Sequence, residues 1–100
     1  MIPAMTAYKY SPVLSSRFKK DVKRLKSRHW DLTPLYEAID LLAQGKKLPA
    51  KYRDHALIGE LAGWRDCHIS PDWILLYAIL EDELLLDLHR TGTHQDTGLE

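Results

Sequence analysis

Residues 63–77 read Gly63-Trp64-Arg65-Asp66-Cys67-His68-Ile69-Ser70-Pro71-Asp72-Trp73-Ile74-Leu75-Leu76-Tyr77. Two β-prone runs flank Ser70-Pro71-Asp72, a turn in which Pro71 suits position i+1. The pattern predicts one strand over 64–69 and a second over 73–80. The second is almost continuously apolar, as expected of a central strand covered on much of both faces. Further on, Glu81-Asp82 turns the chain. Leu84, Leu86 and Leu88 then alternate with Leu85, Asp87 and His89, the pattern of a half-buried strand. Before the hairpin, residues 55–58 predict a short strand.

The first half of the chain reads differently. Residues 6–10 predict a first strand, broken by Ser11-Pro12. Residues 14–29 predict a helix, because Leu14, Phe18, Val22 and Leu25 fall on one face. Asp31 or Thr33 caps a second helix with Pro34 in its first turn. Leu35, Ala38, Ile39 and Leu42 form its apolar stripe, and Gly45 ends it. Residues 46–54 form a basic connector around Pro49. The fold class is α+β, written β-α-α-β-β-β: two N-terminal helices packed on a small, mainly antiparallel sheet.

Composition narrows the function classes. One hundred residues make a single domain, 1–100, with its core over about 6–96. One cysteine excludes an internal disulfide framework and cysteine-rich zinc folds. No apolar run approaches the roughly 18 residues that span a bilayer, and the N-terminus lacks a secretory pattern. The expectation is a cytoplasmic domain with no membrane partner. Net charge is zero, yet residues 1–53 carry 12 Lys/Arg against 4 Asp/Glu, and residues 54–100 carry 2 against 10. A basic half of this kind can meet a polyanion locally, or it can pack against the acidic half and be partly cancelled.

Histidine placement is the chemical signal. His55 opens a strand, His68 ends one, and His94 follows the last strand in Arg90-Thr91-Gly92-Thr93-His94. If these strand ends meet, two or three imidazoles suit proton transfer near neutral pH. Taken singly, each is better read as a hydrogen-bonded structural histidine. Zinc ligation by the three histidines and Asp72 is a weak alternative, since no helical HxxxH or HExxH spacing occurs. Cys67 reads as a small buried residue. His29 and His89 are given no chemical role.

The segments Asp54-His55-Ala56-Leu57, residues 63–77 and Arg90-Thr91-Gly92-Thr93-His94, in this order and spacing, resemble the YafQ branch of the RelE/ParE toxin superfamily. The resemblance covers about residues 6–96. It implies a RelE-like fold and a type II toxin–antitoxin toxin that is a ribosome-dependent endoribonuclease cutting mRNA in the A site. No cofactor is implied, and the chemistry is metal-independent. The implied partners are a cognate antitoxin, the ribosome and mRNA, with operator DNA reached only through the antitoxin.

The resemblance maps functional positions onto His55, His68, Asp72, Trp73 and His94. His94 and His55 are the expected acid–base pair. His68 and Asp72 would orient the site or hold a base. Arg65 is a phosphate-contact candidate. Trp73 is equally a base-stacking candidate and a core residue. Lys46, Lys47, Lys51 and Arg53, with Lys19, Lys20 and Lys23, could meet RNA or an acidic antitoxin. One departure is the tail, Gln95 to Glu100, which lacks the aromatic or bulky apolar residue common a few positions after this motif. Leu99-Glu100 reads as a tag remnant. The competing readings are a ParE-like gyrase poison, a catalytically silent antitoxin-binding or operon-regulating partner, and a metal-dependent hydrolase using the same histidines.

Overall fold

The computed structural model describes residues 8–98. Strands β1 (Ser11–Leu14), β2 (His55–Ala56), β3 (Arg65–Ser70), β4 (Trp73–Leu80) and β5 (Leu85–Gly92) form one sheet in the order β1-β5-β4-β3-β2. Only β1–β5 is parallel. Helices α1 (Ser16–Ser27) and α2 (Thr33–Ala43) cover one face, and a single turn, α3 (His94–Thr97), follows β5. The chain thus carries four strands after the two helices: the short strand expected at 55–58 is β2, reduced to two residues that pair with β3 at the sheet edge, and it is the one that the string β-α-α-β-β-β leaves out.

Phe18 and Leu25 of α1, with Leu35, Ala38, Ile39 and Leu42 of α2, pack with Cys67, Leu75, Tyr77, Leu86 and Leu88 of the sheet. The helix stripes therefore bury as their spacing predicted, except that Val22 is only partly buried and Leu14 lies outside the helix. That residue belongs to β1 and is 44% exposed. Ser15 sets the boundary. Its hydroxyl accepts the Phe18 amide at 3.0 Å, capping α1, and donates to the His89 carbonyl at 2.8 Å. His29 ends the helical path in a left-handed conformation.

The first strand lies later than predicted. Thr6 and Ala7 fall outside the described residues, and the Lys9 and Tyr10 amides both donate to the Ala43 carbonyl. Pro12 sits within β1. The Ser11 amide donates to the Leu84 carbonyl just before β5 and the Ser15 amide to Leu88 within it, so alternation turns the position of Pro12's missing donor toward the open edge, where proline is tolerated. At the second helix Leu32 is the N-cap, while Asp31 accepts the Thr33 amide from one position earlier. Strand β5 runs three residues beyond its predicted end at His89, as far as Gly92. A register shift between Leu76 and Tyr77 accommodates the extra residue His89.

Cross-strand partners point to the same face. One row is His55, Asp66, Leu76 and Arg90; the next is His68, Ile74 and Gly92. Up to the bulge in β5 both rows lie on the face away from Cys67, Leu75 and Tyr77, which pack under the helices; past it, Arg90 turns to Asp21 of α1.

Candidate active site

Tight pairing of β3 and β4 places the Ser70-to-Trp73 turn beside the end of β5. Asp72 on that turn meets His94: its Oδ1 accepts from His94 Nδ1 at 2.8 Å and from the His94 backbone amide at 3.3 Å. These two hydrogen bonds hold the Asp72 carboxyl below the usual aspartate range. An ionised carboxylate can only accept, so Nδ1 carries the proton and Nε2 is left for exchange with a substrate. The His94 ring centroid lies 5.6 Å from that of His68. His68 Nδ1 is buried and has no hydrogen-bond partner.

His55 stands one row away. Its Nδ1 lies 2.9 Å from the Arg53 carbonyl and 3.2 Å from Asp66 Oδ1. The carbonyl has the hydrogen bond, and the buried Asp66 Oδ1 is left without an aligned donor. Because His55 pairs opposite Asp66, its diagonal neighbour is His68, at about 7–8 Å between backbones. The order across the sheet is thus His55, His68, His94, with Asp72 fixing the last. Among the described residues, no group of three or more His, Cys, Asp or Glu could hold a metal ion.

Two mapped residues are not brought into this site. Trp73 is only 6% exposed; its indole packs edge-on against Trp30 with centroids 5.0 Å apart, and its Nε1 donates to Thr91 Oγ1 at 2.9 Å. The core reading therefore replaces the base-stacking one. Arg65 faces the helices beside Tyr77 and donates twice to Asp54, at 2.8 and 3.2 Å, while the Tyr77 hydroxyl donates to the other Asp54 oxygen. Nε and Nη2 are thus engaged by Asp54, which ties Arg65 to the side of the sheet opposite the histidines. Of the basic connector, Lys51 and Arg53 share with His68 the wall of a cleft of about 520 Å³. Lys46 and Lys47 are exposed and do not line it.

Residues 10–98 match the family described as the bacterial toxin of type II toxin–antitoxin system, YafQ. The chain belongs to the YafQ family of toxins. It is 44% identical over 81 residues to the mRNA interferase toxin YafQ of Escherichia coli K12, covering 80% of this chain and 86% of that protein. The crystal structure of YafQ from E. coli BL21(DE3) superposes with a TM-score of 0.81 at 39% identity, over 88% of this chain and 97% of that one. The E. coli DinJ–YafQ toxin–antitoxin complex gives a TM-score of 0.79 at 41% identity, over 87% and 94%.

In this YafQ-family chain, residues that sequence reasoning missed hold the His94 loop. Burial alone would push the Asp21 carboxyl up. Hydrogen bonds from Arg90, the Thr91 amide and Arg24 outweigh it and hold the group low. Arg90 also donates to the Asp96 carbonyl. Thr93 and Asp96 form a reciprocal capping box for α3, and Arg28 pairs with Asp96 at 3.0 Å. The Thr93-x-x-Asp96 spacing was a readable signal for that turn. Gly92 has φ +146°, and a Cβ there would come within 3.0 Å of Asp96, so the motif needs glycine at this point. Trp64 and His89 stack at 4.5 Å; no local pattern indicates this contact.

Proposed function

We propose that this chain is an mRNA interferase: a ribosome-dependent endoribonuclease, acting in the cytoplasm and neutralised by a cognate antitoxin. The observation that carries the reading is the Asp72–His94–His68 constellation on the face away from the helices. RNA cleavage by its own 2′-hydroxyl requires removal of that proton, protonation of the departing 5′-oxygen, and stabilisation of the phosphorane between them. A phosphate seated at His68 would have His94 on one side and His55 on the other. Asp72 orients His94 and favours the imidazolium that forms as it takes a proton. Lys51 and Arg53 supply positive charge at the approach. The relatives named mRNA interferase toxin support this reading, and the antitoxin complex of a relative supports the partner. No helix among the described residues is long and apolar enough to cross a membrane.

The test is to map cut sites on translating messages after induction of the wild-type chain and of His94→Ala. The expected result is arrested protein synthesis with cuts inside A-site codons, both lost in the variant. Arrest with intact messages and altered DNA supercoiling would overturn the proposal in favour of a gyrase poison. Intact messages without arrest would leave an antitoxin-binding partner. Cleavage lost on metal stripping and restored only by zinc, with magnesium present throughout, would favour a metal-dependent hydrolase.

A further inference from the structure

We propose that Arg65 and Tyr77 are positioning residues for His55: they grip Asp54 from the helix-covered side of the sheet and so hold the His55 ring in place on the opposite side. Asp54 directly precedes His55. Its Oδ2 accepts from Arg65 Nε at 3.2 Å and from Nη2 at 2.8 Å, and its Oδ1 accepts from the Tyr77 hydroxyl. Arg65 of β3 and Tyr77 of β4 are cross-strand partners, so the carboxylate is fastened to two strands at once. Tyr77 is fully buried. Burial first, and the bond to Asp54 next, push its hydroxyl above the usual tyrosine range, so it stays a donor.

His55 needs such an anchor. It opens a two-residue strand at the edge of the sheet, and its side chain is exposed. Strand β2 pairs with β3 over those two residues, with one more bond from the Leu57 amide to the Trp64 carbonyl. A short, solvated edge of this kind opens at little cost. The residue before Asp54 adds a second demand. Arg53 has φ +48°, a left-handed backbone uncommon outside glycine. Its carbonyl takes the hydrogen bond from His55 Nδ1 at 2.9 Å. A carbonyl accepts only, so this bond selects the tautomer with the proton on Nδ1 and leaves Nε2 for the substrate. The bond lasts while the Arg53–Asp54 peptide keeps its orientation, and the Asp54 carboxylate fixes that peptide from the far side of the sheet.

This inference rests on the nuclease reading, with His55 in the acid–base pair, and it has a readout apart from cleavage. The first measurement is the ring 15N signals of the histidines at about pH 8, where an ordinary imidazole is neutral. His55 should show the Nδ1-protonated tautomer in the wild type and a mixture of tautomers in Tyr77→Phe and Arg65→Met. His94, held by Asp72, should keep its signals. The second is single-turnover cleavage of ribosome-bound message. Both variants should slow it by up to about a hundredfold, as expected when a reacting group is misplaced by about an ångström, with ribosome affinity unchanged. Arg65→Lys, which keeps one donor to Asp54, should restore part of the rate. In a His55→Ala background, Tyr77→Phe and Arg65→Met should cause no further loss. Tyr77→Phe keeps the buried ring and Arg65→Lys the charge, so the test does not depend on the folding of Arg65→Met. An unchanged His55 tautomer, or the same rate loss with and without His55, would overturn the proposal; weaker ribosome binding would return Arg65 to direct phosphate contact. If the tautomer changes as expected while message mapping shows no cuts, the nuclease reading fails and the clamp on His55 stands.

Discussion

His94 Nδ1 donates to Asp72 Oδ1 at 2.8 Å across 22 residues of chain. This contact fixes both the tautomer and the direction of the ring, leaving Nε2 as the exchanging nitrogen. Asp72→Asn keeps an acceptor of the same shape but removes the charge that favours imidazolium. Cleavage should fall by about a hundredfold, with circular dichroism and melting unchanged because the Asp72 side chain is 73% exposed. Its depressed carboxyl keeps the pair intact above the ordinary aspartate range, and the pair is lost only as pH falls through that lower value. Any limb of the pH–rate profile between 5 and 8 therefore belongs to other groups, and should persist in the residual activity of Asp72→Asn.

Asp21 should govern acid stability. It is 1% exposed, and its carboxyl is held low in the fold. A group depressed on folding stabilises above its unfolded pKa, and that contribution fades as pH drops through the folded one. Urea unfolding should therefore show stability falling below about pH 4. Asp21→Ala should cost about 3 kcal/mol at pH 7, since it leaves Arg90 and the Thr91 amide without their partner, and the acid slope should flatten. Full stability in this variant at neutral pH would refute the role.

Trp73→Phe separates core packing from base stacking. Loss of the Nε1 bond to Thr91 and of part of the contact with Trp30 should cost about 1–2 kcal/mol. Cleavage per folded molecule should stay at the wild-type level. A fall in turnover without loss of stability would return Trp73 to the substrate side.

Cys67 should be silent to thiol reagents in the native protein. It is fully buried, and burial foremost, reinforced by Asp54 and Asp66, pushes its thiol up, away from the reactive thiolate. Labelling with a thiol-specific chromophore should follow unfolding in urea and not precede it. Rapid labelling in buffer would contradict the packing of β3.

How far the site was readable differs from residue to residue. The turn at Ser70-Pro71-Asp72 and the limits of β4 followed from turn chemistry and a run of apolar residues. The buried stripe of α2 followed from its helical spacing, and the burial of Cys67 from its place in a strand. The placement of Pro12 inside β1 did not, because tolerance of that proline depends on β1 lying at an edge. The extra length of β5 did not either, since a bulge interrupts the alternation that a strand prediction uses.

The sequence by itself determined the order of elements, the two faces of each helix, the sign of charge in each half, and the motif spacing shared with the YafQ family. All of these depend on neighbours within a few positions along the chain. Only the tertiary structure decided that His94 leans on Asp72 and His68 while Arg65 and Trp73 are committed to the side of the sheet that the helices cover. It alone brought Asp21 of α1 under the loop that carries His94. Such contacts join residues 11 to 70 apart, and strand order, register and one bulge select them. A local pattern carries none of that information, because the same alternation fits either face until pairing fixes it.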